Sequence, residues 1–283
     1  MAHGEWPTRR GERVPGTEYV LDETLGQGRV TLACRVRDHD DQLLVLKVLL
    51  SHLAGASDIA ERFLREARLF ASFEHENVLG IADVGRITDG RPFFVTPWTK
   101  ARVLASVIRS RQLPLTLDQA VAVAVQLTDA LGAIHAAGAI HRAVHPGNVL
   151  LGWTGHVWLA DFGVTSASLL PAITTPGEMY LEPRPEGMTD DPRADLFALG
   201  MIFYELFGAR GPYPASDRGS FAARLRSGPP EPVGAMLDGS AVPRPLADLL
   251  TSMVAADPAS RPASVWPVRE TLRAVAARSA PRD

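Results

Sequence analysis

The first third of the chain, after a polar start, consists of short apolar runs separated by turn signals. Short β-branched and aliphatic runs between glycine and aspartate turns are typical of antiparallel strands. One segment, residues 59–73, breaks this pattern, because Phe63, Ala67 and Phe70 stand at the spacing of a helix face. The pattern predicts a β-rich region with one helix, and its predicted strands are residues 19–25, 30–36, 43–49 and 93–95.

The pattern changes after Trp98 and becomes helical. Residues 117–137 form a long helical pattern that begins next to Thr116, a residue suited to cap a helix N-terminus. A β-rich first third followed by an α-rich remainder predicts two lobes with a cleft between them. The other predicted helices are residues 194–207, 220–226, 245–256 and 263–277.

Composition excludes several classes of function. The formal net charge is −3 over 283 residues, which gives no electrostatic argument for nucleic acid or an anionic membrane as a partner. Cys34 is the only cysteine, so an internal disulfide and a cysteine metal cluster are excluded, as expected of a cytoplasmic protein. The longest stretch without Asp, Glu, Lys or Arg is residues 143–160, and proline and glycine interrupt it. We therefore predict no membrane span.

The most specific motif is found in residues 141–148, with the sequence His-Arg-Ala-Val-His-Pro-Gly-Asn. It aligns without gaps to the catalytic loop of protein kinases, His-Arg-Asp-x-Lys-Pro-x-Asn, and residues 161–163 match the kinase Asp-Phe-Gly motif. On these motifs and their spacing, the chain resembles the protein kinases, in particular the bacterial serine/threonine kinases. The resemblance implies that the chain binds ATP and that Asn148 and Asp161 bind Mg²⁺.

Two positions of the catalytic loop depart from the family pattern. Ala143 replaces the aspartate that accepts the proton of the substrate hydroxyl, and His145 replaces the lysine that contacts the transferring phosphate. Loss of a positioned general base typically lowers the rate by about 10²–10⁴-fold. A histidine is mostly neutral near pH 7 and is a weak substitute for a fixed cation. His145 stands two positions from the base position, which argues against its acting as the base.

Nearly all the residues with which the kinase family binds the nucleotide phosphates are present in this chain. Gly26 and Gly28 match the first two glycines of the glycine-rich loop, whereas Thr31 occupies the third glycine position. Lys47, one of two lysines in the chain, matches the strand lysine that contacts the α- and β-phosphates. Glu66 occupies the position of the ion-pair partner of that lysine.

The resemblance also implies a set of adenine-pocket residues. The alanine and valine that sandwich adenine in the family are exchanged in this chain, a swap that keeps the summed side-chain volume. In the family, the hinge between the two lobes contacts adenine through a backbone carbonyl and a backbone N–H. One hinge position in this chain is a proline, which lacks an N–H but keeps its carbonyl. The implied positions are Ala33, Val45, Thr96, Pro97, Thr99 and Leu150.

The activation segment departs further from the family. Arg184 stands where a glutamate normally pairs with a buried arginine, here Arg261, so either the loop shifts or Glu182 or Glu186 takes this role. An ungapped alignment places Gly177 where the family has a threonine. A short gap recruits Thr174 or Thr175 instead. Structural roles are implied for three more residues: Asp195 as the anchor of the catalytic loop, and His141 and Phe162 in the internal spine.

The resemblance covers residues 19–277 and implies an α+β, bilobal protein-kinase fold with a β-rich N-lobe and an α-helical C-lobe. The predicted divisions are a polar leader (1–18), N-lobe (19–95), hinge (96–99), C-lobe (100–277) and tail (278–283). The first functional hypothesis is a pseudokinase that binds ATP and Mg²⁺ and regulates an unknown protein partner. The alternatives are a slow but active serine/threonine kinase and a scaffold that binds no nucleotide.

Overall fold

The computed structural model describes Trp6, residues 9–110 and 115–161, Tyr180, and residues 191–208 and 210–279. These residues belong to two units. Unit 1 contains Trp6, residues 9–75 and 79–100, and Asp161, whereas unit 2 contains residues 76–78, 101–110, 115–160, Tyr180, 191–208 and 210–279.

Unit 1 is built on a five-stranded antiparallel sheet in the order β1-β2-β3-β5-β4. Four of these strands coincide with predicted apolar runs, whereas β4 has the sequence Asp-Val-Gly-Arg and gave no apolar signal. The predicted helix is confirmed as α2, and a short helix α1 precedes it. The elements are β1 (Val20–Gln27), β2 (Thr31–Arg37), β3 (Leu43–Leu49), α1 (Ser51–Ala54), α2 (Ser57–Ala71), β4 (Asp83–Arg86) and β5 (Pro92–Pro97).

Successive side chains along each strand point to opposite faces of this sheet. One face holds a buried apolar cluster to which β2 contributes Cys34 and Val36 and β3 contributes Leu46 and Val48. Helix α2 packs on β4 and β5, where the rings of Phe63 and Phe94 lie 5.5 Å apart. The residues between the cluster members along β2 and β3 point to the other face.

The segment predicted as a loose polar leader is packed within unit 1 where the structure describes it, at Trp6 and from residue 9 onward. Val14 is fully buried in the apolar cluster, and its N–H donates to the carbonyl of Tyr19 at 2.8 Å. Trp6 packs against the same cluster, with the Arg91 guanidinium 5.4 Å from its ring centroid. A single valine between Arg13 and Pro15 carries no periodic signal, so the sequence did not reveal this contact.

Unit 2 contains a three-stranded antiparallel sheet, β6-β7-β8, and six α-helices among its described residues. Helix α4 packs on α5 and α8, and α5 also packs on α7. The predicted cap at Thr116 is confirmed as a capping box with Gln119. The elements are β6 (Ala101–Val103), α3 (Leu104–Ser110), α4 (Leu117–Ala136), β7 (Val149–Gly152), β8 (Val157–Leu159), α5 (Arg193–Gly208), α6 (Arg218–Arg226), α7 (Arg244–Met253) and α8 (Val265–Ser279).

Helix α4 is long and apolar enough to cross a membrane by length and composition. Half of its most apolar window is buried inside the protein, and its buried positions include Leu127 and Leu131. A core helix packed between two other helices has the same composition, so this feature is weak evidence for a membrane span.

Candidate active site

In unit 1 the sheet places four of the predicted adenine- and phosphate-binding residues on one face. Ala33 lies opposite Lys47 in the register of β2 and β3, and Val45 lies opposite Thr96 in the register of β3 and β5. Residues two apart on a strand point to the same side, so these four side chains share the face opposite the apolar cluster. Pro97 ends β5 directly afterwards.

The predicted glycine-rich loop is a tight hairpin turn between β1 and β2. The Gly28 N–H donates to the carbonyl of Thr31 at 2.9 Å, which leaves two residues at the tip. Val30, at this tip, is 4% exposed, and its carbonyl accepts from the Leu50 N–H at 2.9 Å. Thr31 is a buried strand residue paired with Leu49 in β3, so the position where the family has its third glycine lies inside the sheet.

Lys47 forms an ion pair with Asp161 within unit 1. Both side chains are largely buried, at 18% and 17% exposure, which strengthens the attraction between their charges relative to a pair in water. Asp161 has φ 56°, a left-handed conformation that is uncommon for a residue other than glycine. The structure therefore brings together the lysine that is predicted to contact phosphate and one of the two predicted Mg²⁺ ligands.

The predicted ion pair between Lys47 and Glu66 is not formed in this structure. Glu66 is 8% exposed and accepts instead from Arg62, one helical turn earlier on α2, at 3.0 Å. Its second carboxylate oxygen is buried and has no hydrogen-bond partner among the described residues. Position along a helix does not reveal which cation a carboxylate reaches, because Arg62 at the i−4 position competes with a lysine on a neighbouring strand.

In unit 2 the catalytic loop is held by Asp195 near the start of α5. This carboxylate is 2% exposed and accepts from the backbone N–H groups of His141 and Arg142 at 2.7 and 2.9 Å. The ring of His135 on α4 lies 3.0 Å from it. The predicted anchoring role of Asp195 is thus realised. The network holds Arg142 at φ 61°, a conformation that requires support from its surroundings.

Ala143 takes part in this loop through its backbone. Its N–H donates to Nδ1 of His141 at 3.2 Å, and its carbonyl accepts from Nδ2 of Asn148 at 2.9 Å. The residue is 5% exposed. Its methyl side chain has no acceptor for a proton, so the general-base position of the family carries no chemical group in this chain.

His145 caps the 3-10 turn that follows Ala143. Its Nδ1 accepts from the Gly147 N–H at 3.1 Å, and a Cβ at position 147 would lie 2.9 Å from the imidazole. Glycine at 147 therefore makes room for the ring. The ring also lies 6.4 Å from that of Tyr180. The imidazole at the family's lysine position has a local structural role.

The predicted metal ligands supply oxygen donors of the kind that Mg²⁺ prefers, a carboxylate from Asp161 and an amide from Asn148. Nδ2 of Asn148 donates to the Ala143 carbonyl, and Oδ1 is the atom of this amide that has the chemistry of a metal ligand. Among the described residues there is no group of three or more His, Cys, Asp or Glu that could hold a metal. By donor type, the carboxylate and the amide oxygen each suit the ion.

Arg261, predicted to need a carboxylate partner, is buried against backbone carbonyls. Its guanidinium donates to Ala255, Ala256 and Arg193 carbonyls at 2.8–3.2 Å and lies 4.7 Å from the Phe197 ring centroid. Its predicted partners, and the other activation-segment positions singled out by the sequence, are outside the described residues: Phe162, Gly163, Thr174, Thr175, Gly177, Glu182, Arg184 and Glu186.

Three further residues that were predicted to line the adenine pocket lie at the end of β5, just beyond it, and on β7. Thr96 is 4% exposed at the end of β5, and Thr99 is half-buried just beyond it. The Trp98 N–H between them donates to the Leu43 carbonyl at 3.2 Å, which ties this segment to β3. Leu150 lies on β7 in unit 2, where it pairs with Trp158.

One polar pair in unit 2 was missed by sequence reasoning. The Tyr180 hydroxyl contacts both carboxylate oxygens of Glu205, at 2.9 and 2.8 Å. Glu205 stands in the otherwise apolar C-terminal half of α5, and this isolated charge was the available signal.

Comparison with known proteins defines the class of this chain. The sequence profile of the protein kinase domain matches residues 19–273. The chain belongs to the protein kinase domain family, whose members generally use ATP and Mg²⁺. The predicted fold class is confirmed by a solved structure, the Mycobacterium tuberculosis PknI kinase domain. That structure matches with a TM-score of 0.71 at 25% identity, over 96% of this chain and 100% of the other.

The similar sequences are bacterial serine/threonine-protein kinases. Pkn3 of Myxococcus xanthus is 30% identical over 274 residues, which cover 91% of this chain and 50% of pkn3. PknL of Mycobacterium tuberculosis is 31% identical over 270 residues, which cover 92% of this chain and 66% of PknL. The chain thus spans between half and about two thirds of the length of these relatives.

Proposed function

We propose that this kinase domain binds ATP with Mg²⁺, has lost most phosphoryl transfer, and regulates a protein partner. One contrast carries the proposal: Lys47 and Asp161 are present and paired, whereas Ala143 stands at the general-base position. Binding of phosphate and metal depends on positioned charges, and those charges are retained. Proton acceptance from a substrate hydroxyl depends on a group that alanine lacks.

In this proposal the Lys47 ammonium contacts the nucleotide phosphates, and Asp161 and Asn148 hold Mg²⁺ through oxygen atoms. Bound Mg²⁺ supplies neutralisation of the phosphate charge. Ala33, Val45 and the residues around Thr96 line the adenine side. Glu66, paired with Arg62 in this structure, contributes to ATP binding only if that pair opens and its carboxylate reaches Lys47.

Titration with ATP in the presence and absence of Mg²⁺, followed by thermal unfolding, tests the binding half of the proposal. A bound ligand raises the unfolding temperature by mass action, so a rise that depends on Mg²⁺ is expected. The matched control is Asp161→Asn, which removes the carboxylate charge at the metal site. Absence of any shift at millimolar ATP contradicts the proposal and supports a nucleotide-free scaffold.

The second candidate function is a slow serine/threonine kinase. The intact pair of Lys47 and Asp161 favours it, because phosphoryl transfer has a loose transition state that depends mainly on positioning and charge. Transfer of radiolabelled phosphate from ATP to a generic protein substrate separates the two. Incorporation above the Asp161→Asn background contradicts the loss of transfer.

We also propose a cytoplasmic location for this domain. The supporting observation is Cys34, the only cysteine, which is fully buried and reduced. Burial raises the pKa of its thiol, so the group is poorly reactive. Cell fractionation with an antibody to this chain tests the location, and recovery in the membrane pellet after a high-salt wash contradicts it.

A further inference from the structure

Unit 2 contains a pocket of about 420 Å³ that the nucleotide proposal does not use. Helix α3 lines it with Ile108 and Arg109, the catalytic-loop turn with Pro146, and the end of α5 and the following loop with Glu205 and Arg210. Its volume falls in the range of small-ligand sites, roughly 300–1,000 Å³. It is large enough for one side chain of a bound segment.

The acidic group of this pocket is already engaged within the protein. The Tyr180 hydroxyl lies within hydrogen-bond distance of both oxygens of Glu205. Burial raises the pKa of the Glu205 carboxyl, and the hydrogen bond from Tyr180 opposes that effect. A cationic ligand would have to compete with Tyr180 for this carboxylate.

The basic groups of the pocket are more available. Arg109 is exposed, and among the described residues it takes part in no ion pair. Burial raises the pKa of Tyr180, and the positive charge of Arg109 opposes that rise. Within the part of the chain that the structure describes, Arg210 forms an ion pair with Glu231 at 2.6 Å, and both side chains of that pair are more than half exposed. Exposed pairs of this kind are weak and open readily. The pocket lining therefore contains two arginines and one carboxylate that is already hydrogen-bonded within the protein.

We infer that this pocket binds an oxyanion carried by a side chain of a protein partner, a carboxylate or a phosphate monoester. The planar guanidinium groups of Arg109 and Arg210 match the geometry of both anions. Ile108 and Pro146 offer apolar contact to the stem of that side chain. The inference uses residues of unit 2 alone, so it holds whether or not the domain binds ATP or transfers phosphate.

The test uses the full chain and fluorescein-labelled peptides that differ only in a central residue: phosphoserine, glutamate, serine or lysine. Fluorescence anisotropy should show the phosphoserine and glutamate peptides binding at least about tenfold more tightly than the serine peptide, the effect of one charged hydrogen bond. Arg109→Gln should abolish that preference. Arg226→Gln, an exposed arginine of α6 that does not line the pocket, should leave it unchanged.

Several results would overturn the inference. One is the absence of peptide binding at millimolar concentration, and another is unchanged binding in a folded Arg109→Gln variant. A third is preference for the lysine peptide that disappears in Glu205→Gln, which would identify a cation pocket. Inorganic phosphate serves as a competitor, and displacement of the peptides at equal concentration would identify a free-anion site instead of a side-chain site. Thermal unfolding of each variant confirms that it is folded.

Discussion

The face of the unit 1 sheet around Lys47 and the catalytic loop of unit 2 make an instructive pair of regions. Both belong to a chain with the protein-kinase fold. On the sheet face the charged side chains are also retained, because Lys47 and Asp161 are present and in contact. In the catalytic loop the backbone arrangement is retained, whereas the general-base position carries Ala143, which has no proton acceptor in its side chain.

The difference shows that the frame of the catalytic loop does not depend on the catalytic side chain. Asp195 holds the backbone of His141 and Arg142 through charge-assisted hydrogen bonds. Ala143 contributes its own N–H and carbonyl to the loop, and these are the same for any residue except proline. A change from aspartate to alanine therefore removes the base and leaves the loop in place.

The largest expected effect comes from restoring the missing groups. Ala143→Asp combined with His145→Lys should raise phosphoryl transfer by about 10²–10⁴-fold, the usual contribution of a positioned base. Radiolabelled transfer to a protein substrate measures it, and adding Asp161→Asn should remove the gain. An unchanged rate would contradict the prediction and show that the catalytic loop lacks more than these two side chains.

Removal of the retained charge should weaken nucleotide binding next most strongly. Lys47→Ala should lower ATP·Mg²⁺ affinity by about 10–100-fold, because it removes a charged hydrogen bond to phosphate. Lys100→Ala is the matched control, since Lys100 is the only other lysine and is exposed. Calorimetric titration measures both. Equal affinities of the two variants would contradict the role assigned to Lys47.

The role of Asp195 in holding the catalytic loop can be tested by measuring stability, independently of any phosphoryl transfer. Asp195→Ala should lower the free energy of unfolding by about 3 kcal/mol, because two backbone N–H groups lose a buried charged acceptor. Asp248→Ala removes a carboxylate that is 69% exposed and should change stability by less than about 0.5 kcal/mol. Urea denaturation followed by circular dichroism compares them. Equal losses would show that Asp195 is not the anchor.

The smallest effects concern pH and have opposite signs in the two units. The hydrogen bond from Arg35, with the charge of Arg10, holds the pKa of Asp22 below its usual value of 3.8. The folded state then binds fewer protons than the unfolded state, so this stabilisation is present above pH 3.8 and is lost as pH falls through the lowered pKa. Asp22→Asn should remove that acid-side loss.

Glu205 in unit 2 should show the reverse. Its pKa is raised above 4.5, so the folded state binds more protons and stability falls as pH rises from 4.5 through the raised pKa. Glu205→Gln should flatten this decline. Urea midpoints between pH 3 and pH 7 measure both variants, and a common pH dependence would contradict the assigned signs.

Much of this fold was predictable because it depends on local pattern. The apolar run of β3 and the helix cap at Thr116 are encoded in neighbouring residues, and both predictions are confirmed. The hydrophobic pattern did not mark the position of strand β4, because its four mostly polar residues have no regular period. The burial of Val14 was missed because a lone apolar residue acquires its partners only when the chain folds back on the sheet.

The candidate site divides in the same way. Motif spacing alone predicts the nucleotide and metal roles of Lys47, Asn148 and Asp161 and places Ala143 at the general-base position, because these predictions depend on residue type and position along the chain. Pairing was not predictable: Glu66 reaches Arg62, and Tyr180 reaches Glu205. A charged side chain often has several possible partners, some nearby in the sequence and some distant. Three-dimensional packing decides which of them it contacts.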